Sequence, residues 1–406
     1  MSLNNTPRAN RLHIGIFGRR NAGKSSLINA LTGQNLAIVS DTPGTTADPV
    51  FKSMELHPIG PVVFIDTAGF DDEGELGRLR VDRTREIIKR TDLAILVLDG
   101  SVLTRQDASW LKQLQDAGIP TITVIGKCDT LTDAQRRTAA QAVDDALFVS
   151  AKTGEGIGLL RTAITKAIPE EYLEEQLLEG MIEDGSLVLL VMPQDIQAPK
   201  GRLILPQVQT IRKLLDRRCT VVSTTADGFE AALERLNCTP DLIITDSQCF
   251  SQVYEKKPAG SPLTSFSILM AAAKGDLNVF IDGVTAIDDA IAKVSKHSGA
   301  ETPFRVLIAE ACTHVPLQED IGTVKIPMLL RKQFGNRIEI TNIRGNDFPD
   351  VEELKQYDLI IHCGACMFNR RHVLSRIAAA QEAGVPITNY GVFLAYAAGI
   401  LNKIQL

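Results

Sequence analysis

The sequence predicts an α/β protein with mainly parallel sheets, and three observations carry that expectation. Short apolar runs such as Leu12–Phe17, Leu93–Leu98 and Leu242–Thr245 read as strands buried on both faces. Stretches with helical spacing separate them, which is the βα alternation of a parallel sheet. A glycine-rich turn, Gly18-Arg-Arg-Asn-Ala-Gly-Lys-Ser25, joins the first of these strands to a helical run at Ser26–Leu31. At 406 residues the chain exceeds one ordinary core, so more than one domain is expected.

Bulk properties narrow the class. An apolar fraction of 44% with 23% charged residues belongs to a globular chain, and no apolar run is long enough to cross a bilayer. The net charge of −6 argues against broad nucleic-acid binding, so neither a membrane nor a nucleic acid is expected as partner. The first eleven residues carry Arg8 and Arg11 without an apolar core, and no secretory signal is read there. Seven cysteines, an odd number in a long chain, fit a reducing compartment, and a cytoplasmic location is expected.

Taken in order, the first element with chemistry is the turn at Gly18–Ser25, which fits G-x-x-x-x-G-K-[ST]. Its strand–loop–helix setting aims backbone N–H groups and a helix N-terminus at one anion. Lys24 would reach the β- and γ-phosphates of a nucleotide, and the Ser25 hydroxyl would ligate Mg²⁺. Asp41-Thr-Pro-Gly-Thr-Thr-Ala-Asp48 is a loop able to change conformation. Val62–Ile65 reads as a strand running into Asp66-Thr-Ala-Gly69, and Asp66 at its end is placed to hold Mg²⁺ through water. Two further strands, Thr121–Ile125 and Phe148-Val149, lead into Gly126-Lys-Cys-Asp129 and Ser150-Ala-Lys152.

This series resembles the translation-factor-like small GTPases, in particular the Era and MnmE branch. The resemblance implies that GTP and GDP are bound by Gly18, Asn21, Ala22, Gly23, Lys24, Ser25 and Ser26 of the P-loop. Thr46 would be the switch threonine on Mg²⁺, with Ser25 and Asp66, and Gly69 would donate its N–H to the γ-phosphate. Lys127 would pack on the guanine, Asp129 would accept from its N1 and N2 donors, and Ser150, Ala151 and Lys152 would support the base. The sequence departs from N-K-x-D in having Gly126 where the family carries asparagine, which should loosen the base pocket. Phe70 stands where Ras-like enzymes carry the water-orienting glutamine, so intrinsic hydrolysis should be slow. Asn21 matches the asparagine that ligates K⁺ in potassium-activated relatives, where the ion supplies positive charge to the transition state. The residues implied in catalysis are therefore Lys24, Asn21 and Gly69.

Past an acidic exit around Glu170–Glu175, the alternation resumes. Strands are expected at Ser186–Met192, within Pro199–Pro206, at Thr220–Ser223 and at Leu242–Thr245, with helices at Val208–Arg217 and Phe229–Leu236. Cys219, Cys238 and Cys249 have no accompanying histidines and read as free thiols. The C-terminal region differs. A strand at Phe304–Ala309 leads to Glu310-Ala-Cys-Thr-His314, and another at Asp358–Ile361 leads to His362-Cys-Gly-Ala-Cys366. Cys312, Cys363 and Cys366 thus follow two strand ends, where parallel sheets place their sites. Three thiolates with histidines suit either a zinc site or an iron–sulfur cluster, and spacing alone does not separate the two.

A GTPase carrying C-x-H and then H-C-x-x-C resembles the HydF family of [FeFe]-hydrogenase maturation GTPases, on Cys312, His314, His362, Cys363 and Cys366. Ala198-Pro-Lys-Gly-Arg-Leu-Ile-Leu-Pro-Gln207 is similar to the same family, so the likeness covers nearly the whole chain. It implies a P-loop GTPase domain (1–172) followed by two smaller α/β domains, one for dimerisation (173–262) and one for cluster binding (263–406). It also implies a [4Fe–4S] cluster on Cys312, Cys363 and Cys366, with the fourth ligand open among His362, His314 and Glu310. The implied function is a GTP-hydrolysing scaffold that carries a transient di-iron precursor to apo-[FeFe]-hydrogenase, with radical-SAM maturases as upstream partners and a homodimer as its assembly. The alternative is an Era/MnmE-like ribosome- or tRNA-associated GTPase with a structural zinc domain.

Overall fold

A computed structural model of the chain describes residues 11–32, 50–56, 60–67, 86–100, 103–143, 145–168, 178, 180–193, 203–296, 303–311, 321–345, 347–365 and 368–404. The chain divides into two compact units, Met1–Glu174 and Glu175–Leu406.

In the first unit the described residues form a sheet in the order β2-β3-β1-β4-β5-β6. Its strands are β1 (Leu12–Phe17), β2 (Val50–Leu56), β3 (Gly60–Asp66), β4 (Leu93–Asp99), β5 (Thr121–Gly126) and β6 (Leu147–Phe148). All pairs are parallel except β2 with β3. β1 and β4 lie in the middle, and burial on both faces explains why they read as unbroken apolar runs. One face packs on helix α1 (Lys24–Thr32) through Leu27, Ile28 and Leu31. The other receives Trp110 and Leu114 of α2 (Arg105–Asp116), whose start is fixed by a reciprocal Thr104–Asp107 capping box. A third helix, α3 (Asp133–Ala142), is capped in the same way by Thr132 and Gln135, and α4 (Ile157–Lys166) closes the unit.

The second unit contains two all-parallel sheets. One runs β10-β9-β7-β8, from β7 (Leu187–Val191), β8 (Thr220–Thr224), β9 (Leu242–Thr245) and β10 (Leu263–Ser265). The other runs β12-β11-β13-β14, from β11 (Phe304–Glu310), β12 (Ile338–Arg344), β13 (Leu359–His362) and β14 (Ile387–Asn389). Helices α5 (Leu205–Asp216), α6 (Phe229–Arg235), α7 (Phe250–Lys256), α8 (Phe266–Lys274) and α9 (Leu277–Lys296) precede the last sheet in sequence. Between its strands come α10 (Ile326–Phe334), α11 (Val351–Leu354) and α12 (Arg370–Ala383), and α13 (Tyr390–Ala397) follows the last strand.

The division expected at 262/263 does not coincide with a break in packing. β10 pairs with β9, so the earlier sheet extends to Ser265. Helix α8 is apolar nearly all round, which marks a helix buried on every side. Its Phe266, Leu269 and Met270 join one core with Val188, Leu190 and Ile244. Its Ile268 and Ala271 join another that runs from Leu189 and Ile243 to Ile308 and Ile361. The strand expected within Pro199–Pro206 is absent from its described part. Leu203 and Ile204 are unpaired in any sheet, and Pro206 lies in the first turn of α5, where a missing N–H costs nothing. No helix among the described residues is long and apolar enough to cross a membrane.

Candidate functional site

The phosphate-binding loop forms where expected, between β1 and α1. Gly18 has φ 146°, and a Cβ there would lie 2.4 Å from the Val97 carbonyl oxygen, so the turn needs glycine. Gly23 (φ 93°) and Asn21 (φ 59°) also take positive φ, which curls the backbone around the site. Lys24 is buried and donates through Nζ to the carbonyls of Gly18 and Arg19, each at 2.8 Å. Parallel pairing of β1 with β3 puts Ile16 beside Asp66, and Ser25 Oγ donates to Asp66 Oδ2 at 2.6 Å. Burial pushes the Asp66 carboxyl above the ordinary value, opposed by Ser25, Lys24 and Lys52.

The base motif packs against this loop. Gly126 ends β5, and an added Cβ would stand 3.0 Å from the Ala22 carbonyl oxygen, so the two motifs meet backbone to backbone. Lys127 takes φ 54° and pairs with Asp99 at 3.1 Å, and Asp129 is exposed. Ser150 is buried and its Oγ accepts from the Thr153 N–H at 3.1 Å. Arg136 ties the two base loops together: it donates to both Glu155 oxygens, at 2.8 and 3.2 Å, and to the Cys128 carbonyl at 2.8 Å. Ser26 is half-buried on α1, while Ala151 and Lys152 form the turn after β6. Thr46, Gly69 and Phe70 lie outside the described residues. These residues fit nucleotide with Mg²⁺: a lysine, a hydroxyl and a buried carboxylate converge on a loop of backbone donors.

The second site lies at the carboxyl edge of the sheet β12-β11-β13-β14. The strand order reverses between β11 and β13, and the crevice at such a point is where open parallel sheets take ligands. Cys363 follows β13 and its N–H continues the ladder to Ala309 O at 2.9 Å. Its Sγ accepts N–H groups from Ala311, at 3.0 Å, and from Ala365, at 3.4 Å. Ala365 has φ 50°, unusual for a residue with a Cβ, and this conformation turns its N–H toward the sulfur. N–H donors suit a thiolate, so this edge fits a soft metal centre. Cys312, His314 and Cys366 lie outside the described residues, and among the described ones no trio of His, Cys, Asp and Glu gathers as a metal site.

The candidate fourth ligands differ in their surroundings. His362 is the last residue of β13, 1% exposed, with Nδ1 2.8 Å from the Cys363 carbonyl and Nε2 3.0 Å from Arg376 Nη1. Burial and the adjacent Arg376 push its pKa down to about 3. Glu310 ends β11, with Oε2 accepting from Arg344 Nε at 3.0 Å and Oε1 from Tyr390 Oη at 3.2 Å. Sequence reasoning missed Arg376, a 3%-exposed arginine inside α12. The only signal was a single charge among the apolar positions of that helix. Asn389, the last residue of β14, is the N-cap of α13, its side chain accepting from the Val392 N–H.

Fold and site together define a P-loop GTPase domain joined to a second α/β unit that carries Cys363 at a strand-end crevice. Family models agree segment by segment. Residues 13–127 match a 50S ribosome-binding GTPase model, 177–275 a hydrogen maturase F dimerization domain, and 288–405 a hydrogen maturase F tetramerization domain. The chain belongs to the hydrogen maturase F family.

Among curated proteins, the tRNA modification GTPase MnmE of Nitrosomonas eutropha is 37% identical over 172 residues, 41% of this chain and 38% of that protein. MnmE of Heliobacterium modesticaldum is 38% identical over 181 residues, 43% of this chain and 37% of its own length. The chain therefore spans little more than a third of these relatives. Among solved structures, a probable GTP-binding protein engB aligns at TM-score 0.33 and 26% identity, over 39% of this chain and 99% of its own. Aquifex aeolicus Era bound to GDP·AlF4⁻ aligns at TM-score 0.35 and 17% identity, over 60% of this chain and 97% of its own.

Proposed function

We propose that this protein is a GTP-hydrolysing scaffold and carrier in [FeFe]-hydrogenase maturation. It binds a [4Fe–4S] cluster through Cys312, Cys363 and Cys366, takes up a di-iron precursor from radical-SAM maturases, and delivers it to apo-[FeFe]-hydrogenase. The observation that carries the reading is the Cys363 thiol at the β11–β13 crevice, held by two backbone N–H groups inside a segment that matches hydrogen maturase F. The bound cluster supplies an iron with an exchangeable fourth position, which a cargo needs in order to attach. Glu310 and His314 remain candidates for that position. Both nitrogens of His362 are already engaged.

In the GTPase domain, Lys24 would leave the Gly18 and Arg19 carbonyls for the β- and γ-phosphates. Ser25, Thr46 and Asp66 would hold Mg²⁺, which supplies charge to the phosphate oxygens. Gly69 would donate to the γ-phosphate, and Asn21 would bind K⁺. Lys127, Asp129, Ser150, Ala151 and Lys152 would take the guanine. The scaffold would act in the cytoplasm as a homo-oligomer built on a homodimer, a reading supported by the dimerization model over 177–275 and the tetramerization model over 288–405. The ribosome- or tRNA-linked alternative draws support from the GTPase segment alone, where the MnmE likeness lies.

Anaerobic reconstitution with iron and sulfide, followed by EPR of the reduced protein, tests the proposal. A reducible [4Fe–4S] signal lost in Cys363→Ser is expected. Tight zinc with no such signal would overturn it.

A further inference from the structure

We infer that Arg376 is the positioning residue of the cluster loop and that His362 is its strut, holding the backbone at Cys363 and taking no part in ligation. The inference rests on the reading of Cys363 as a cluster ligand. A guanidinium has only donors, so His362 Nε2, 3.0 Å from Arg376 Nη1, must present its lone pair. The ring proton is then on Nδ1, which donates to the Cys363 carbonyl at 2.8 Å. This hydrogen bond fixes the peptide that leaves Cys363, just where the chain turns through Gly364 to the positive φ of Ala365.

The same arginine grips the far end of the loop. Its guanidinium carbon lies 4.6 Å from the centroid of the Phe368 ring and 4.7 Å from that of Phe348. Nη2 donates to the Gly345 carbonyl at the end of β12, at 2.6 Å. Phe368 is further fixed by His372 stacked at 3.9 Å and by Lys274 Nζ on its carbonyl at 3.0 Å. One buried cation therefore holds the residues on both sides of the Cys363–Cys366 segment and anchors them to the end of β12, two strands away from β13. A flat group with two donor edges can make these contacts together, and lysine, a point charge on a flexible stem, cannot. Such outer contacts orient metal ligands, and losing them costs about ten-fold or more in metal retention.

The test compares wild type with Arg376→Lys, Phe348→Leu and His362→Gln in the full chain. In the apo protein, ¹⁵N-resolved imidazole spectra should show the His362 proton on Nδ1, and Arg376→Lys should mix the tautomers and speed alkylation of Cys363. After reconstitution, wild type and His362→Gln should share the same EPR g-values. Arg376→Lys should lose iron to a chelator about ten-fold faster than wild type, with Phe348→Leu, which keeps the hydrogen bonds, in between. An Nε2–H tautomer in wild type would overturn the inference. So would altered g-values and iron content in His362→Gln with Arg376→Lys unchanged, since His362 would then be a ligand. Apo results as expected with no cluster taken up by wild type would instead defeat the cluster reading and leave the strut standing.

Discussion

Ser25 in the first turn of α1 and Asp66 at the end of β3 meet at 2.6 Å, hydroxyl to carboxylate, at the floor of the phosphate loop. Asp66 is 6% exposed and Ser25 is its hydroxyl donor, so the pair links a buried charge to the first turn of α1. Ser25→Ala should lower the stability of the nucleotide-free GTPase unit by about 1.5–3 kcal/mol, the cost of removing a hydrogen bond to a charged group. It should also remove the gain in GTP affinity that Mg²⁺ provides. Unfolding followed through Trp110, the chain's single tryptophan and a core residue of this unit, gives the first quantity. Titration of a fluorescent GTP analogue with and without Mg²⁺ gives the second. An undiminished Mg²⁺ effect would remove Ser25 from the proposed ligand set.

A pH effect should appear at Cys128, between Lys127 and Asp129, the residues proposed to take the guanine. It is fully buried, and burial together with neighbouring Glu155 pushes its thiol from 9.0 to about 11, against the opposing pull of Arg136. Between those values the folded protein keeps a proton that the unfolded chain releases. Stability from this thiol is therefore intact below the unfolded value and lost as pH rises toward the folded one, by at most about 1.4 kcal/mol per pH unit. Urea unfolding read at Trp110 at about pH 8.5 and about pH 10.5 should show a larger drop for wild type than for Cys128→Ala. Equal drops would mean that the thiol ionises freely in the folded protein.

What could be read from the chain alone follows from how local each signal is. The P-loop is eight contiguous residues, and the structure has a tight turn at Gly18–Gly23 between a strand and the helix that starts at Lys24, so this signal is wholly local. The strands before Cys312 and Cys363 were legible from their apolar runs, and they are parallel neighbours. Strand β12 was not read, because it is half-exposed and its polar Thr341 and Asn342 break the apolar pattern. Arg376 was hidden because its partners Gly345 and His362 are 31 and 14 residues away, and nothing local marks an arginine that will be buried. The single packing unit from 175 onward was equally hidden. An all-apolar helix such as α8 looks the same in sequence whether it serves one core or two.

That shared helix leads to a prediction about cooperativity. Ile268 is fully buried on the side of α8 that faces the core common to Ile243 and Ile361. Ile268→Ala should cost about 2–5 kcal/mol through lost contacts and a residual cavity. Hydrogen exchange should then lose protection in β9 and β13 by the same factor, since both strands border that core. The Trp110 transition, reporting on the other unit, should keep its midpoint. Loss confined to β9, with β13 unchanged, would restore two independently folding domains within 175–406.

The potassium reading of Asn21 is best tested with a variant that separates side chain from backbone. Asn21 holds φ 59° and its side chain is exposed at the loop's outer turn. Alanine there would strain the backbone as well as remove the carboxamide, since only glycine and, less readily, asparagine or aspartate accept this region. Asn21→Gly keeps the conformation and removes the side chain whose oxygen would face the cation. Wild type should hydrolyse GTP faster in K⁺ than in Na⁺ at equal ionic strength. Asn21→Gly should show one common, slower rate in both salts while retaining GTP affinity, because the missing interaction acts on the transition-state charge and not on the ground state. Wild-type rates that do not distinguish the two ions would end the potassium reading. A variant that still distinguishes them would move the ion to other ligands.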